Sequence, residues 1–237
     1  MPKHTKTRYP SMVGLIKDIR FYDNAIYKNE RETLEQTVSQ FKTKNALVDL
    51  ISIILNDPRQ LNIILDRSYR HQNGFHKIVI TEGALFKVRL HIFENMAEIQ
   101  LPMENIHNHR WNFSSQILKG DLKMEIYEKT DYGDNVYFDY NYNPSKHGNK
   151  YEVDLCGLTK LVMKEERLYK EGSFYYMNNK ELHRIVNPTD QKVETIVMTG
   201  IPTNAKCKLY SQRVFTEGEK LMLKYSRLEL IKLLENL

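Results

Sequence analysis

The chain has 237 residues, of which 41% are hydrophobic and 27% are charged, a balance typical of a globular protein and not of a disordered one. No apolar run approaches the ~20 residues of a membrane-spanning helix and the N-terminus lacks a secretory core, so we expect a cytoplasmic protein without a membrane partner. The formal net charge of +5 comes from basic residues interleaved with acids, apart from a cluster at residues 3–8, and does not favour nucleic acid as a partner.

Helical patterns occupy the first part of the chain. Residues 29–43 and 45–70 carry apolar residues at helical spacing. The sequence Asn56-Asp57-Pro58 interrupts the second pattern, so a further short helix is predicted from Arg59. We therefore expect residues 1–74 to form an N-terminal arm and a helical segment that packs on the rest of the chain.

From residue 75 the chain consists of short runs rich in β-forming residues. They span residues 77–80, 86–93, 98–101, 111–118, 123–127, 151–155, 160–163, 173–177, 183–186 and 194–198. The segment 129–150, rich in Asp, Asn, Gly and Tyr, is predicted to be a long hairpin excursion. The even spacing predicts a β barrel or sandwich over residues 75–216. A C-terminal helix is predicted over residues 217–237, and the whole chain forms one structural domain.

Three histidines carry the candidate chemistry. His107 and His109 lie two residues apart, and a strand places such residues on one face. His183 follows far downstream in a similar strand context. Three neutral imidazoles can hold a divalent first-row metal and leave coordination positions open. For each histidine alone, an ordinary strand residue satisfied by hydrogen bonds is the favoured interpretation, but the joint spacing favours a metal site.

The same two stretches resemble the two motifs of the cupin superfamily. The first motif is similar to His107-x-His109 followed by Gly120. The second keeps the spacing of Gly172-x5-Asn178-x-Lys180-x2-His183-x3-Asn187, with Asn178 and Lys180 where a proline and a glycine are usual. Among cupins, the arrangement is most similar to the cysteine dioxygenase-like (thiol dioxygenase) group.

This resemblance implies both a fold and a cofactor. The fold would be mainly β, a cupin-type double-stranded β-helix (jelly-roll barrel) with N-terminal helices and a C-terminal helix. His107, His109 and His183 would be the metal ligands, because thiol dioxygenases use three histidines on Fe(II). Other cupins hold Zn, Mn or Ni, which therefore remain open as alternatives.

Two departures from the family pattern limit what the resemblance implies about the substrate. Phe113 and Ser114 occupy the positions at which many cupins add a glutamate ligand. Animal-type cysteine dioxygenases carry a cysteine near Ser114 that is joined to a late-strand tyrosine, where this chain has Thr199. The thioether crosslink cannot form from these residues, so the resemblance does not imply cysteine as the substrate.

The strand at residues 86–93 supplies candidate substrate contacts. Its odd positions place Arg89 and His91 on one face, opposite an apolar face. If the odd face points toward the metal, Arg89 would bind a carboxylate and His91 would transfer a proton. The alternative is a charged stripe that faces solvent. Lys77 is a second candidate for binding an anionic group.

Three further residues are candidates by strand parity. Trp111 shares the parity of His107 and His109, so it would form a wall of the pocket or belong to the core. Gln116 would contact substrate only if a bulge resets the alternation of its strand. Either Tyr175 or its neighbour must face inward, and we expect a phenolic hydroxyl there to act on bound substrate.

The sequence therefore favours a metal-dependent cupin that acts as a non-haem Fe(II) dioxygenase on a small thiol or carboxylate-bearing substrate, with dioxygen as co-substrate. Two alternatives remain open. One is a metal-dependent isomerase, lyase or hydrolase that acts on a sugar or small acid, and the other is a non-catalytic cupin that binds a small molecule. Many cupins form homodimers through an edge strand, which is compatible with this chain.

Overall fold

The computed structural model describes residues 18–42, 44–71, 74–94, 105–144, 150–186, 191–215 and 218–237. The basic cluster at residues 3–8, the strand predicted at residues 98–101 and Asn187 of the second motif lie outside these ranges. Across the described part of the chain, no helix combines the length and the apolar character that crossing a bilayer requires.

Five helices flank the β structure. They are α1 Ile19–Lys28, α2 Glu30–Ser39, α3 Lys44–Leu55, α4 Pro58–Arg67 and α5 Arg227–Glu235. The predicted helices at residues 29–43 and 45–70 correspond to α2, α3 and α4, whereas α1 was not predicted. Tyr22 and Ile26 are the buried residues of α1.

Side-chain caps determine where several helices begin. Asp57 accepts hydrogen bonds from the backbone amides of Arg59 and Gln60, and this cap produces the predicted break before α4. Ser226 and Glu229 form a capping box that starts α5 at Arg227. The C-terminal helix therefore begins later than the predicted residue 217, and strands occupy the residues before it.

Fourteen strands are present in the described chain. They are β1 Tyr69–Arg70, β2 His76–Glu82, β3 Lys87–Phe93, β4 Ile106–His107, β5 Phe113–Lys119, β6 Leu122–Thr130, β7 Val136–Pro144, β8 Lys150–Tyr169, β9 Phe174–Met177, β10 Leu182–Ile185, β11 Val193–Thr199, β12 Cys207–Ser211, β13 Gly218–Leu221 and β14 Leu223–Lys224. They form two antiparallel seven-stranded sheets, β14-β1-β2-β3-β11-β5-β9 and β13-β8-β6-β10-β4-β12-β7.

The strand order is that of a jelly roll. The first sheet contains β3-β11-β5-β9 and the second contains β4-β10-β6-β8, so the chain alternates between the sheets from β3 to β6 and again from β8 to β12. The predicted mainly β jelly-roll fold, with N-terminal helices and a C-terminal helix, is confirmed.

The segment predicted as an excursion is a strand for much of its length. β7 pairs with β8 on one side and with β12 on the other. The two strands predicted at residues 151–155 and 160–163 are one strand, β8, which continues through a bulge opposite Asp139 and Tyr140. Gly157 at this bulge has φ +145, which glycine adopts without strain. Because β7 pairs with both β12 and β8, the second sheet closes into a ring.

Two separate hydrophobic layers position the inner face of the barrel. The outer layer joins the helices to the even positions of β3, including Leu90 and Ile92, and contains Leu230 and Leu234 of α5. The inner layer lies between the sheets and contains Met124 and Met177. Each fully buried aliphatic side chain contributes roughly 1.5–3 kcal/mol to folding. The odd positions of β3 consequently face the barrel interior.

Candidate metal site

The three histidines meet inside the barrel because their strands are neighbours. β10 pairs with β4 in a register that places His183 opposite His107. His109 follows the end of β4, and its backbone amide donates to the carbonyl of Asn179, 3.3 Å away. One ring nitrogen from each histidine lies within 4.8 Å of the others.

The donor atoms fit a divalent metal. The Nδ1 of His107 donates to the carbonyl oxygen of Asn105 at 2.9 Å, which leaves its Nε2 with a free lone pair. The Nε2 atoms of His109 and His183 face each other at 3.3 Å. Two nitrogens that bind the same ion at about 2.1 Å lie roughly 3 to 3.4 Å apart, so a cation between these two rings satisfies the observed spacing.

Burial keeps two of these rings in the form that binds metal. Burial lowers the pKa of His109 and of His183 well below the usual value, and the electrostatic interaction with the neighbouring His107 lowers both pKa values further. Metal binding requires neutral imidazole, because a proton and a metal compete for the same lone pair. Both rings are therefore neutral at physiological pH.

The histidines line a cavity of about 60 Å³. Its wall also includes Phe93, Phe113 and Tyr175, and among the described lining residues there is no aspartate or glutamate. Phe113 thus occupies the place where a fourth, acidic ligand would lie in many cupins. The chemistry available to this cavity comes from neutral nitrogens, aromatic walls and the two polar residues on the inner face of β3.

Arg89 and His91 both reach this cavity from β3. Arg89 is 6% exposed, and its Nε has no hydrogen-bond partner in the described structure. Its guanidinium carbon lies 4.7 Å from the centre of the Trp111 ring. The Nε2 of His91 is also buried without a partner, and its ring packs 4.9 Å from that of Phe75. Burial, followed by the charge of Lys77, lowers the pKa of His91 well below its usual value.

Lys77 and Trp111 belong to a second, larger cavity of about 560 Å³. Trp111, Arg89 and Thr199 line both cavities, whereas Lys77 lines only the larger one. The Nζ of Lys77 donates to the hydroxyl of Tyr69 at 2.8 Å. Burial, followed by the charge of Arg89, lowers the pKa of Lys77 well below its usual value.

The structure does not bring Gln116 to either cavity. Its amide nitrogen donates to the carbonyl oxygens of Ser173 and Ile117, at 3.0 and 3.2 Å, and the residue points to the helix-facing side of β5. The bulge that would have reversed its direction lies beyond it, where Ile117 and Lys119 pair with β11. Strand alternation therefore directs Gln116 outward, and it is removed from the candidate substrate contacts.

Alternation also separates two neighbouring positions in the barrel. Tyr175 points inward and stacks on Tyr169 with a ring distance of 4.3 Å, whereas Tyr176 points outward beneath the guanidinium of Arg31. Ser114 pairs with Tyr176 on the outer face, but Thr199 lines the inner cavities. The two positions compared above with a cysteine–tyrosine crosslink therefore lie on opposite faces.

A chain of hydrogen bonds behind the site was not predicted from the sequence. The carboxylate of Glu30 accepts from the side-chain amide of Asn112 at 2.7 Å, and Asn112 in turn accepts from the backbone amide of Asn179 at 3.0 Å. The carbonyl of Asn179 then accepts from the backbone of His109. The sequence carries no signal for this network, because Glu30 and Asn112 are separated by 82 positions.

The turn before β10 explains how the second motif tolerates its unusual residues. The side chain of Asn178 accepts from the backbone amide of Lys180 at 3.0 Å, and Glu181 accepts from the backbone of Asn178 at 3.2 Å. This turn is closed by side chains in place of the usual proline and glycine. Side-chain hydrogen bonds in this turn thus precede the strand that presents His183.

No protein-family model and no curated protein sequence matches the chain. An RmlC-like cupin family protein with a double-stranded β-helix fold from Methanocaldococcus jannaschii is 11% identical, with 55% of this chain and 84% of that chain covered and a TM-score of 0.33. Hydroquinone 1,2-dioxygenase from Sphingomonas sp. TTNP3, with 4-hydroxybenzoate bound, is 8% identical, with 54% and 66% covered and a TM-score of 0.33. A variant of oxalate decarboxylase from Bacillus subtilis is 10% identical, with 67% and 30% covered and a TM-score of 0.35. Likenesses of this size carry no argument about activity, and the fold assignment depends on the strand order.

Proposed function

We propose that this protein is a metal-dependent oxygenase that acts on a small thiol or carboxylate-bearing substrate, with Fe(II) as its metal and dioxygen as co-substrate. The observation that carries the proposal is the convergence of three imidazole nitrogens within 4.8 Å, in a cavity whose described lining contains no carboxylate. Three neutral ligands leave coordination positions open, which catalytic sites need and closed structural sites lack. Bound Fe(II) would supply those positions and the electrons that dioxygen activation requires.

The charge of the surrounding residues favours an anionic substrate. Arg89 brings a buried positive charge to the cavity, and its Nε has no hydrogen-bond partner among the described residues. A substrate carboxylate or thiolate would satisfy this charge and orient the substrate, because guanidinium binds carboxylate through two parallel hydrogen bonds. Arg89 is therefore assigned as the residue that orients substrate.

Two residues are placed to handle protons. Burial lowers the pKa of His91 and so favours its neutral form, and its Nε2, which has no partner in the described structure, is placed to accept a proton from a substrate thiol or hydroxyl. Tyr175 brings a phenolic side chain to the same cavity from β9. The aromatic walls exclude bulk water from the reacting groups. Fe(II) and the thiol dioxygenase type of chemistry are preferred because thiol dioxygenases use a three-histidine site that lacks an acidic ligand.

The proposal is tested by metal analysis and oxygen uptake. Protein purified without added metal is expected to contain iron near one ion per chain and to consume dioxygen with a member of a panel of thiols and small carboxylic acids. The variant His183→Ala is expected to lose both metal and uptake. The matched control is His76→Ala, which removes a histidine that is 7% exposed and bonded to Tyr225 outside the cavity.

Two results would contradict the proposal. Full metal content and full turnover in His183→Ala would show that His183 is not a metal ligand. Turnover of a sugar or small acid by the wild type without consumption of dioxygen would replace the oxygenase with a metal-dependent isomerase, lyase or hydrolase.

A further inference from the structure

The two cavities differ in size in a way that restricts how a substrate can bind. The histidine-lined cavity measures about 60 Å³, whereas the adjoining cavity measures about 560 Å³. Sites that enclose an organic ligand typically measure roughly 300–1,000 Å³. The small cavity has room for the reacting end of a substrate only. The larger cavity shares Arg89, Trp111 and Thr199 with it and is the neighbouring space with room for the remainder.

The larger cavity carries an excess of positive charge. Its described wall includes six cationic side chains, of Arg67, Lys77, Lys87, Arg89, Arg110 and Lys224, but only two carboxylates, of Asp66 and Glu82. Glu82 already pairs with Arg67 at 3.2 Å and with Lys87 at 2.8 Å. Its charge also opposes the lowering of the pKa of Arg89 by burial, but among the described residues its ion pairs are with Arg67 and Lys87 only.

Three of these cations meet no carboxylate among the described residues. Lys77 donates to the hydroxyl of Tyr69, and the Nε of Arg110 donates to the carbonyl of Asn204 at 3.3 Å. The Nε of Arg89 has no hydrogen-bond partner among the described residues, and the side chain is more than nine-tenths buried. A buried charge without compensation is costly, so the cavity is built to receive an anion.

We propose that the larger cavity binds a dianionic oxyanion group, such as a phosphate or phosphonate, on an organic substrate whose opposite end enters the histidine-lined cavity. A monocarboxylate would compensate one of the three cations, whereas a dianion with three acceptor oxygens can accept hydrogen bonds from all three. The inference rests on the proposed function only for the reacting end of the substrate. Its anion-binding part is independent of the metal.

The only tryptophan of the chain provides a direct reporter. Trp111 lies between two guanidiniums, with the carbon of Arg89 at 4.7 Å and that of Arg110 at 5.9 Å from its ring centre. An oxyanion that draws these guanidiniums toward itself changes the environment of the indole. Titration of metal-free protein with inorganic phosphate, at ionic strength held constant with chloride, is expected to change tryptophan fluorescence saturably with a Kd below about 1 mM. Acetate is expected to bind at least about tenfold more weakly.

Calorimetric titration of variants identifies the residues that bind phosphate. Arg89→Met and Arg110→Gln are each expected to raise the Kd for phosphate at least about tenfold, because each removes a charge-assisted hydrogen bond. Arg110 is the less buried of the two, so it preserves the test if Arg89→Met does not fold. The matched control Lys170→Gln removes an exposed cation that pairs with Asp121 and is expected to leave the Kd within about twofold.

Three outcomes would overturn the inference: no saturable response of the wild type to phosphate, equal affinity for acetate and phosphate, or unchanged affinity in both arginine variants. All of these measurements use metal-free protein. A failure here is therefore distinguishable from a failure of the proposed oxygenase activity, which is measured by metal content and oxygen uptake.

Discussion

The hydrogen bonds behind the histidines lead to a prediction for Asn112. The variant Asn112→Ala removes the bond to the carboxylate of Glu30 at 2.7 Å and the bond from the backbone of Asn179 at 3.0 Å. A hydrogen bond to a charged group contributes about 1.5–3 kcal/mol to stability and a neutral one about 1 kcal/mol. Because Asn112 is only partly buried, we expect the free energy of unfolding to fall by about 2–3 kcal/mol. For a chain of this size, that loss corresponds to a decrease in Tm of about 5–10 °C.

The same substitution is expected to weaken metal binding. Asn179, which Asn112 holds, accepts from the backbone of His109, so its displacement loosens one of the three ligands. Loss of a residue that orients a ligand typically lowers metal affinity by about 10- to 100-fold. Urea unfolding and a competitive metal titration measure the two effects.

The control variant is Asn143→Ala, which removes an amide that donates to Asp154 at 3.1 Å on the protein surface. It is expected to change the unfolding free energy by less than about 0.5 kcal/mol and to leave metal affinity unchanged. If Asn112→Ala matched this control in both measurements, the hydrogen-bond chain would have no role in holding His109.

Two further predictions concern buried positions outside the histidine-lined cavity. Burial lowers the pKa of His76 to about 4, so between pH 6.5 and 4 the unfolded chain binds a proton that the folded chain does not. The free energy of unfolding therefore decreases as the pH is lowered from 6.5 to 4. Glu94 lies 3.5 Å away and favours the proton, so we expect a loss of about 1–2 kcal/mol, and a His76→Gln variant that unfolded with the same pH dependence would contradict it. A Cβ at Gly200 would lie 2.1 Å from Oε1 of Glu30, which accepts from the backbone of Ile201 at 2.8 Å. Gly200→Ala should therefore lower stability by about 1–3 kcal/mol in urea unfolding, and a neutral effect would show that Glu30 moves freely.

Strand periodicity allowed much of the inner face to be predicted. The alternation of residues 86–93 correctly grouped Arg89 with His91, but it could not tell which group faces the interior. That choice depends on the helices, because Leu90 and Ile92 pack against the helical layer and leave the odd positions to the barrel. The alternation of side chains along β5 likewise directs Gln116 outward.

Contacts between distant segments could not be predicted from local patterns. The Glu30 carboxylate lies at the start of α2, and only the packing of this helix on the barrel brings it to Asn112. The turn at Asn178 shows a related limit, since a polar side chain replaces proline by forming hydrogen bonds that depend on the turn itself. Residue spacing was enough to predict His183 as a candidate ligand, whereas the hydrogen bonds that support the histidines depend on how distant segments pack in the folded chain.

The ring formed by the second sheet has a consequence for association between molecules. A strand at a sheet edge exposes unpaired backbone groups, and these can pair with a second chain. Because β7 pairs with both β12 and β8, neither β12 nor β8 leaves its full length open at this end of the sheet. β4 and β10, which carry His107 and His183, are members of this ring and are paired on both sides. A strand of a second molecule could therefore pair with them only after one of the existing strand pairings had been broken.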